Sequence, residues 1–331
     1  MTGPPNEDGC LDAEGGLGER AGEGRVLACF HDEWEVALDS GEVTRCSVRA
    51  RHFARLEKDA KLLVPGDRVT VSAGPDGARV IEGRLSRDTA LSRRLPGARH
   101  PTEQVIVANA DQLVAVASLG TPPLNRRLLD RFLVIAEDAE LDSIVVMNKI
   151  DLAAEADWRS VAGVYERAGY EVVPTCALDG TGVERLLSLL AGRLSVFAGA
   201  SGAGKSSLLN AIEPGLGIRV REVSSKTGKG KHTTTNVTIF SVGDDTLVAD
   251  TPGFRELGLW RVHPDDLDQL FSEFRDLIPR CRFRGCSHGP EPGCAVKEAV
   301  SDGAVDAERY DSYLRLLAEL RDPLSGRLPS G

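Results

Sequence analysis

The segment Leu194-Ser195-Val196-Phe197-Ala198-Gly199-Ala200-Ser201-Gly202-Ala203-Gly204-Lys205-Ser206-Ser207 joins an apolar run to a glycine-rich loop and the first residues of a helical pattern. The run Leu194 to Ala198 predicts a buried strand, and Ser207 to Ile212 predicts a helix. Between them, Gly199 to Ser206 fits G-x-x-x-x-G-K-[ST] in the strand-to-helix setting that motif requires. The glycines let backbone N–H groups curl around phosphate oxygens. Lys205 would reach the β and γ phosphates, and the Ser206 hydroxyl would ligate Mg²⁺. A bare Gly-rich turn is the bland alternative.

On the C-terminal side, Thr246 to Ala249 predicts a strand followed by Asp250-Thr251-Pro252-Gly253. This D-x-x-G would hold Mg²⁺ through water at Asp250 and sense the γ phosphate with the Gly253 amide. Between the two motifs lies the polar run Lys226-Thr227-Gly228-Lys229-Gly230-Lys231-His232-Thr233-Thr234-Thr235. One of its threonines would complete the Mg²⁺ shell. Phe254 stands where Ras-type enzymes carry a water-orienting Gln, and His232 is the nearest group able to help. The chain has 8 lysines against 32 arginines, and Lys149, Lys205, Lys226, Lys229 and Lys231 all fall in these segments. That usage suggests that a compact ammonium is wanted there.

On the N-terminal side, Ser143 to Met147 predicts a buried strand ending in Asn148-Lys149-Ile150-Asp151. The Asp151 carboxylate can accept from both N1–H and N2–H₂ of guanine, a donor pair that adenine lacks, so the site would reject ATP. Asn148 and the Lys149 stem would frame the base. Thr175-Cys176-Ala177 follows the short strand Val172 to Pro174, where a backbone amide would meet guanine O6. Alone, N-K-x-D also reads as a helix start with Asp151 as the capping residue. The order is unusual, since N-K-x-D precedes the P-loop. A parallel α/β sheet tolerates the cut because its site lies where strand ends meet. The expected class is a circularly permuted α/β P-loop GTPase domain whose D-x-x-G segment feeds straight into the C-terminal region. Nucleotide state would then reposition that region.

Further strands are expected at Gln104 to Ala108 and Gln112 to Ala117, with helices at Asn125 to Ala136, Trp158 to Ala168 and Gly182 to Leu190. Upstream, Arg25 to Phe30, Trp34 to Leu38, Val43 to Val48, Arg68 to Val71 and Ala78 to Ile81 predict five short strands. They suggest a small β-barrel; an OB-fold is the commonest such barrel that binds nucleic acid, and an SH3-like barrel fits the same pattern. Downstream, Cys281, Cys286, His288 and Cys294 offer three thiols and an imidazole. Four soft ligands suit a closed tetrahedral Zn²⁺ site of structural kind, with iron as the alternative. Arg280, Arg282 and Arg284 interleave with them as a basic patch able to grip phosphates. Helices are expected to pack around the cluster at Pro264 to Leu277 and Ala295 to Leu320. The expected domains are an acidic disordered tail (1–23), the barrel (24–82), an Arg-rich linker (83–104), the permuted domain (105–262), the Cys/His helical domain (263–322) and a short tail (323–331).

Composition bounds these readings. At 331 residues, 41% hydrophobic and 27% charged, the chain has material for two or three packed domains. The net charge of −10 speaks against a nucleic-acid binder over the whole surface. Half of it lies in the first 24 residues, yet residues 44–68 carry seven bases against three acids, so the barrel face could meet RNA. Seven cysteines with no signal segment argue for a reducing, cytoplasmic setting. No apolar run is long enough to span a membrane.

With N-K-I-D at 148–151, the P-loop at 199–207, K-H-T-T-T at 231–235, D-T-P-G at 250–253 and the Cys/His cluster, the chain strongly resembles the ribosome small-subunit-dependent GTPase A family, from about Arg25 to Leu320. Val107-Ala108-Asn109-Ala110-Asp111-Gln112 and Asp130-Arg131-Phe132-Leu133 also look like the family. The resemblance implies an N-terminal OB-fold, a permuted GTPase domain and a C-terminal zinc domain. It implies a monomer that binds the small ribosomal subunit late in assembly, contacts rRNA and hydrolyses GTP, with Mg²⁺, when bound there. It aligns a catalytic histidine with His232 and the switch threonine with Thr234, beside Lys205. Some members begin with basic residues, whereas this tail is acidic. The competing expectations are a GTP-gated RNA-binding module with incidental turnover and a permuted GTPase with a non-ribosomal partner.

Overall fold

The computed structural model describes residues 20–30, 33–48, 63–74, 77–94, 103–216, 237–243, 245–250, 259 and 261–322. Five strands open the chain: β1 (Arg20–Phe30), β2 (Glu33–Leu38), β3 (Val43–Val48), β4 (Arg68–Ala73) and β5 (Arg79–Arg84). They pair in the order β1-β2-β3-β5-β4, and β1 closes the ring by pairing β4. All neighbours are antiparallel except β3 with β5. This is the OB-type barrel. Strand alternation builds it: Trp34, Val36 and Leu38 point inward from β2 onto Val26, Val69, Val71 and Ile81, while Glu33 is exposed. β1 starts inside the stretch read as a tail, with Glu23 opposite Thr70. The β4 backbone pairs with it whatever side chains it carries, so an apolar pattern did not mark its first residues.

The arginine-rich stretch read as linker also carries a strand. β6 (Ala90–Arg94) pairs antiparallel with β7 (Glu103–Ala108), with Leu91 buried. Then follow β8 (Gln112–Ser118), α1 (Arg126–Asp138), β9 (Asp142–Asn148), α2 (Glu155–Arg167), β10 (Glu171–Thr175), α3 (Val183–Leu190), β11 (Leu194–Gly199), α4 (Lys205–Ile212), β12 (Thr238–Ser241) and β13 (Leu247–Asp250). The sheet runs β10-β9-β8-β11-β13-β12, parallel throughout except for β12. β8 and β11 are buried along their whole length, as central strands covered on both faces must be. α1 covers one face, and α3 and α4 cover the other. The Asn125 side chain caps α1 by accepting from the Leu128 amide at 3.0 Å.

Barrel and sheet are welded. β12 pairs β1 at Thr238 and Ala28. The Ala108 amide donates to the Pro65 carbonyl at 3.0 Å, and Asn109 Nδ2 donates to the Gly66 carbonyl at 3.0 Å. Gly66 has φ +94°, and a Cβ there would lie 1.8 Å from the Ala108 carbonyl oxygen, so only glycine permits this approach.

The C-terminal region differs from the two long helices expected. Residues 267–280 form three 3₁₀ turns, Leu267–Leu270, Ser272–Phe274 and Ile278–Arg280. The i, i+3 spacing of Phe271 and Phe274 suits this tighter winding, which buries both rings. The second segment is two helices, α5 (Ala295–Ser301) and α6 (Ala307–Arg321). Gly303 takes φ +76° between them, and Asp306 caps α6 by accepting from the Glu308 and Arg309 amides. α6 packs on α1 through a buried charge cluster. Arg309 donates to Asp130 Oδ1 at 2.9 Å and to both Glu273 oxygens at 2.8 Å, and Tyr165 donates to the same Asp130 oxygen at 3.0 Å. Among the described residues, no helix is long and apolar enough to cross a membrane.

Candidate nucleotide site and metal centre

The P-loop leaves the end of β11 and enters α4 as the spacing predicts. Gly204 sits at the N-cap with φ +93°, and a Cβ there would meet Asn148 Nδ2 at 2.3 Å. A side chain would therefore separate the two motifs. Asn148, 1% exposed, donates from Nδ2 to the Ala203 carbonyl at 2.9 Å and accepts from Thr175 Oγ1 at 3.1 Å. Lys149, in the left-handed region at φ 64°, donates from Nζ to the Gly202 carbonyl at 2.8 Å and also to the Thr121 carbonyl. Two of the four N-K-x-D residues thus hold the phosphate loop from behind. Asp151 is exposed in a 3₁₀ turn, Ile150–Leu152. The next helix, α2, is preceded by Ala154 and has no side-chain cap. Helix capping does not account for Asp151.

The remaining candidates gather around this pair. Lys205 Nζ donates to the Gly199 and Ala200 carbonyls at 2.9 and 3.2 Å, which keeps the ammonium over the loop. Ser206 and Ser207 are in the first turn of α4, with Ser201 and Gly202 at the loop's apex. Thr175, Cys176 and Ala177 leave β10 beside Asn148. The Cys176 amide is committed to the Thr181 carbonyl at 3.0 Å. Asp250 ends β13 in register with Phe197 of β11, which places it beside the root of the P-loop. His232, Thr233, Thr234, Thr235 and Gly253 lie outside the described residues.

The second centre is the Cys/His cluster. The Sγ atoms of Cys281, Cys286 and Cys294 and a ring nitrogen of His288 all lie within 4.8 Å of one another. Cys281 Sγ to Cys294 Sγ is 4.0 Å, and His288 Nδ1 is 3.6 and 3.3 Å from those sulfurs. Tetrahedral Zn²⁺ with the usual bond lengths demands edges of about 3.8 Å for S···S and about 3.5 Å for S···N, so these residues fit such an ion. Nδ1 faces the cluster because Nε2 is engaged elsewhere, 3.1 Å from Asp268 Oδ2. A carboxylate behind a ligating imidazole fixes the ring and its tautomer. Burial pushes the Cys286 thiol up to about 12, so in this cluster it is the cation that would hold it as thiolate. Tyr310 and Tyr313 hydroxyls donate to the His288 and Ser287 carbonyls, tying the knuckle to α6.

Sequence reasoning missed three of these parts. Asp268 lies far from the ligand spacing and gives no motif signal. The Lys149 tether to Thr121 joins two loops distant in sequence. Thr175 was singled out for a backbone amide near the base, whereas its hydroxyl also orients Asn148.

A phosphate loop, a guanine-type N-K-x-D that precedes it in the chain, an OB barrel and a Cys₃His knuckle define the class: a circularly permuted P-loop GTPase with a flanking barrel and a Cys₃His module that could hold a metal. Residues 84–260 match the family model described as RsgA GTPase. The chain is 41% identical over 296 residues to the small ribosomal subunit biogenesis GTPase RsgA of Gemmatimonas aurantiaca, covering 89% of this chain and 94% of that protein. It resembles the crystal structure of YjeQ from Thermotoga maritima with a TM-score of 0.73 and 36% identity, over 92% of this chain and 99% of that one. YloQ, titled a circularly permuted GTPase, matches with a TM-score of 0.69 and 31% identity, over 91% and 96%. The chain belongs to the RsgA GTPase family and is a GTP hydrolase.

Proposed function

We propose that this protein is a cytoplasmic GTPase of small ribosomal subunit biogenesis, binding the subunit and its rRNA late in assembly and leaving when GTP is hydrolysed. The observation that carries the nucleotide half of this reading is the bond from Asn148 to the Ala203 carbonyl, which joins the base-reading motif to the phosphate loop. The ribosomal half is supported by relatives named for small-subunit biogenesis at about 40% identity over most of the chain. No observation favours a non-ribosomal partner.

In this reading Asp151 accepts from the guanine N1–H and N2–H₂ edge, and Ala177 offers its amide to O6, since the Cys176 amide is already committed. Amides from Gly199 to Ser207 take the phosphates, as a helix N-terminus and its loop do. Lys205 supplies charge to the β and γ phosphates. Mg²⁺ brought with GTP would supply positive charge to the phosphates. Ser206 and Thr234 would be its protein ligands, with Asp250 behind a water. His232 would orient the attacking water in place of the glutamine that Phe254 lacks, and Gly253 would report the γ phosphate. Cys281, Cys286, His288 and Cys294 would hold one structural Zn²⁺ with no open position.

The test is steady-state hydrolysis of GTP and ATP with and without purified small subunits. The expected result is slow turnover of GTP alone, raised at least about tenfold by the subunit. Turnover indifferent to subunits would remove the ribosomal half and leave the nucleotide chemistry.

A further inference from the structure

Among the described residues two large aromatic side chains stand out in solvent, Phe30 and Phe283, and each carries an arginine 5.4 Å from its ring centre, Arg45 and Arg282. Their surroundings differ. Arg45 is paired with Glu33 at 3.4 Å, so the barrel ring sits beside a neutralised cation. Phe283 is 45% exposed between Arg280, Arg282 and Arg284, all exposed and none in an ion pair. This is an uncompensated cationic spot on a chain of net charge −10.

The ring is also held in place. It lies between the metal-type ligands Cys281 and Cys286, whose sulfurs converge on one point. The Arg282 amide donates to the Gly293 carbonyl at 2.9 Å, tying the loop across its base. Phe271 and Phe274 are already stacked on each other, with Tyr313 edge-on to both, in the core beneath the knuckle. An apolar ring face with one guanidinium 5.4 Å from its centre and two more exposed arginines within three residues in the chain matches a ligand that is both a π surface and a polyanion. An unpaired nucleotide is such a ligand: the base stacks on the aromatic ring or a guanidinium plane, and the flanking phosphates take the arginines. An acidic peptide would satisfy the arginines but leave the ring without a partner.

We propose that Phe283, framed by Arg280, Arg282 and Arg284, is a stacking site for an unpaired base of single-stranded RNA. The inference rests on the RNA-partner part of the functional reading and adds to it the side chain that takes the base. A duplex of the same sequence offers no free base face and would meet the arginines alone.

The experiment uses the full-length, metal-loaded protein and a fluorescein-labelled unstructured 12-nucleotide RNA, alone and annealed to its complement. Phe283→Ala should weaken single-strand binding about tenfold without changing the slope of log K against log salt, and Phe283→Tyr should retain it. Arg284→Ala should lower that slope by about 0.7. Wild-type affinity in Phe283→Ala overturns the proposal, as does an equal loss for single strand and duplex. Displacement of the RNA by polyglutamate to the same degree from wild type and Phe283→Ala would point to an acidic protein partner and overturn it too. Metal content is measured on each variant. Should Phe283→Ala lose its metal, 4-thiouridine crosslinking to the wild-type protein decides instead: a crosslink within residues 280–284 supports the site, and none there sinks it. The oligonucleotide result stands apart from the subunit assay. Wild-type turnover indifferent to subunits would end the ribosomal reading without touching the stacking site.

Discussion

Asp151 shows how little of a residue's purpose is written in its immediate surroundings. It is exposed and lies in a short 3₁₀ turn, yet Asn148 and Lys149 beside it are locked to the P-loop by bonds of 2.9 and 2.8 Å. Its geometry is therefore set by its neighbours. Replacing Asp151 with Asn exchanges one acceptor for a donor, which mispairs with guanine N–H groups and suits the C2 carbonyl of xanthine. GTP affinity should fall by about 10² or more while xanthosine triphosphate gains, as titration calorimetry with both nucleotides would show. Unchanged GTP affinity would mean that the base is read elsewhere. Asp268 is a residue of the same kind at the Cys/His cluster, 3.1 Å from His288 Nε2. Asp268→Asn should weaken metal binding about 10- to 100-fold in a competition with a chromophoric chelator. A variant with native affinity would reduce Asp268 to a passive neighbour.

Helix α1 explains why Asp130-Arg131-Phe132-Leu133 is a recognisable string. Phe132 and Leu133 enter the sheet-side core, Asp130 is the buried counter-ion of Arg309, and Arg131 pairs with Glu319 of α6. The string is the seat of the C-terminal region. Arg309 is 1% exposed and lies over Tyr165, Tyr170 and Phe271. Truncating one member strands a buried carboxylate, so Arg309→Ala should cost about 3–5 kcal/mol in urea unfolding. The triple replacement Asp130→Leu, Glu273→Gln and Arg309→Met leaves no orphan charge and should cost less than the single variant. Equal losses would mean that the cluster acts by packing alone. The second string, Val107 to Gln112, works in the same way at the other end. Asn109 grips the barrel, and the Asp111 side chain accepts from the Leu194 amide at 2.6 Å, where β11 begins.

For the whole molecule, permuted connectivity sets three modules in line. β1 of the barrel extends the nucleotide sheet through β12, and β13 leads by way of residues 251–260 into the Cys/His region. His232→Ala, on this view, should abolish subunit-stimulated turnover by about 10² or more while GTP binding persists. Normal stimulated turnover in that variant would move the catalytic role to another group. Stripping the metal with a chelator should raise hydrogen exchange in residues 267–305 first, because that stretch packs around the four ligands, and should leave GTP affinity in place. Uniform protection after metal removal would show that the aromatic cluster suffices to hold the region.

Sequence by itself determined what is local. Gly199 to Ser206, Asn148 to Asp151, the alternation in Trp34 to Leu38 and the four clustered ligands each carry their chemistry within a few residues, and each forms as the spacing predicts. Chain order alone also revealed the permutation, because the two motifs stand in reversed sequence. Tertiary structure decided what is paired over distance. Strand β6 within an apparent linker, the early start of β1, Asp268 behind His288, Lys149 on Thr121 and Arg309 on Asp130 leave no local pattern. Backbone hydrogen bonds between strands are indifferent to side-chain type, and a buried charge is tolerated only where another element brings its partner. The side-chain partners lie from 20 to 179 residues away in the chain, so only the folded molecule shows them.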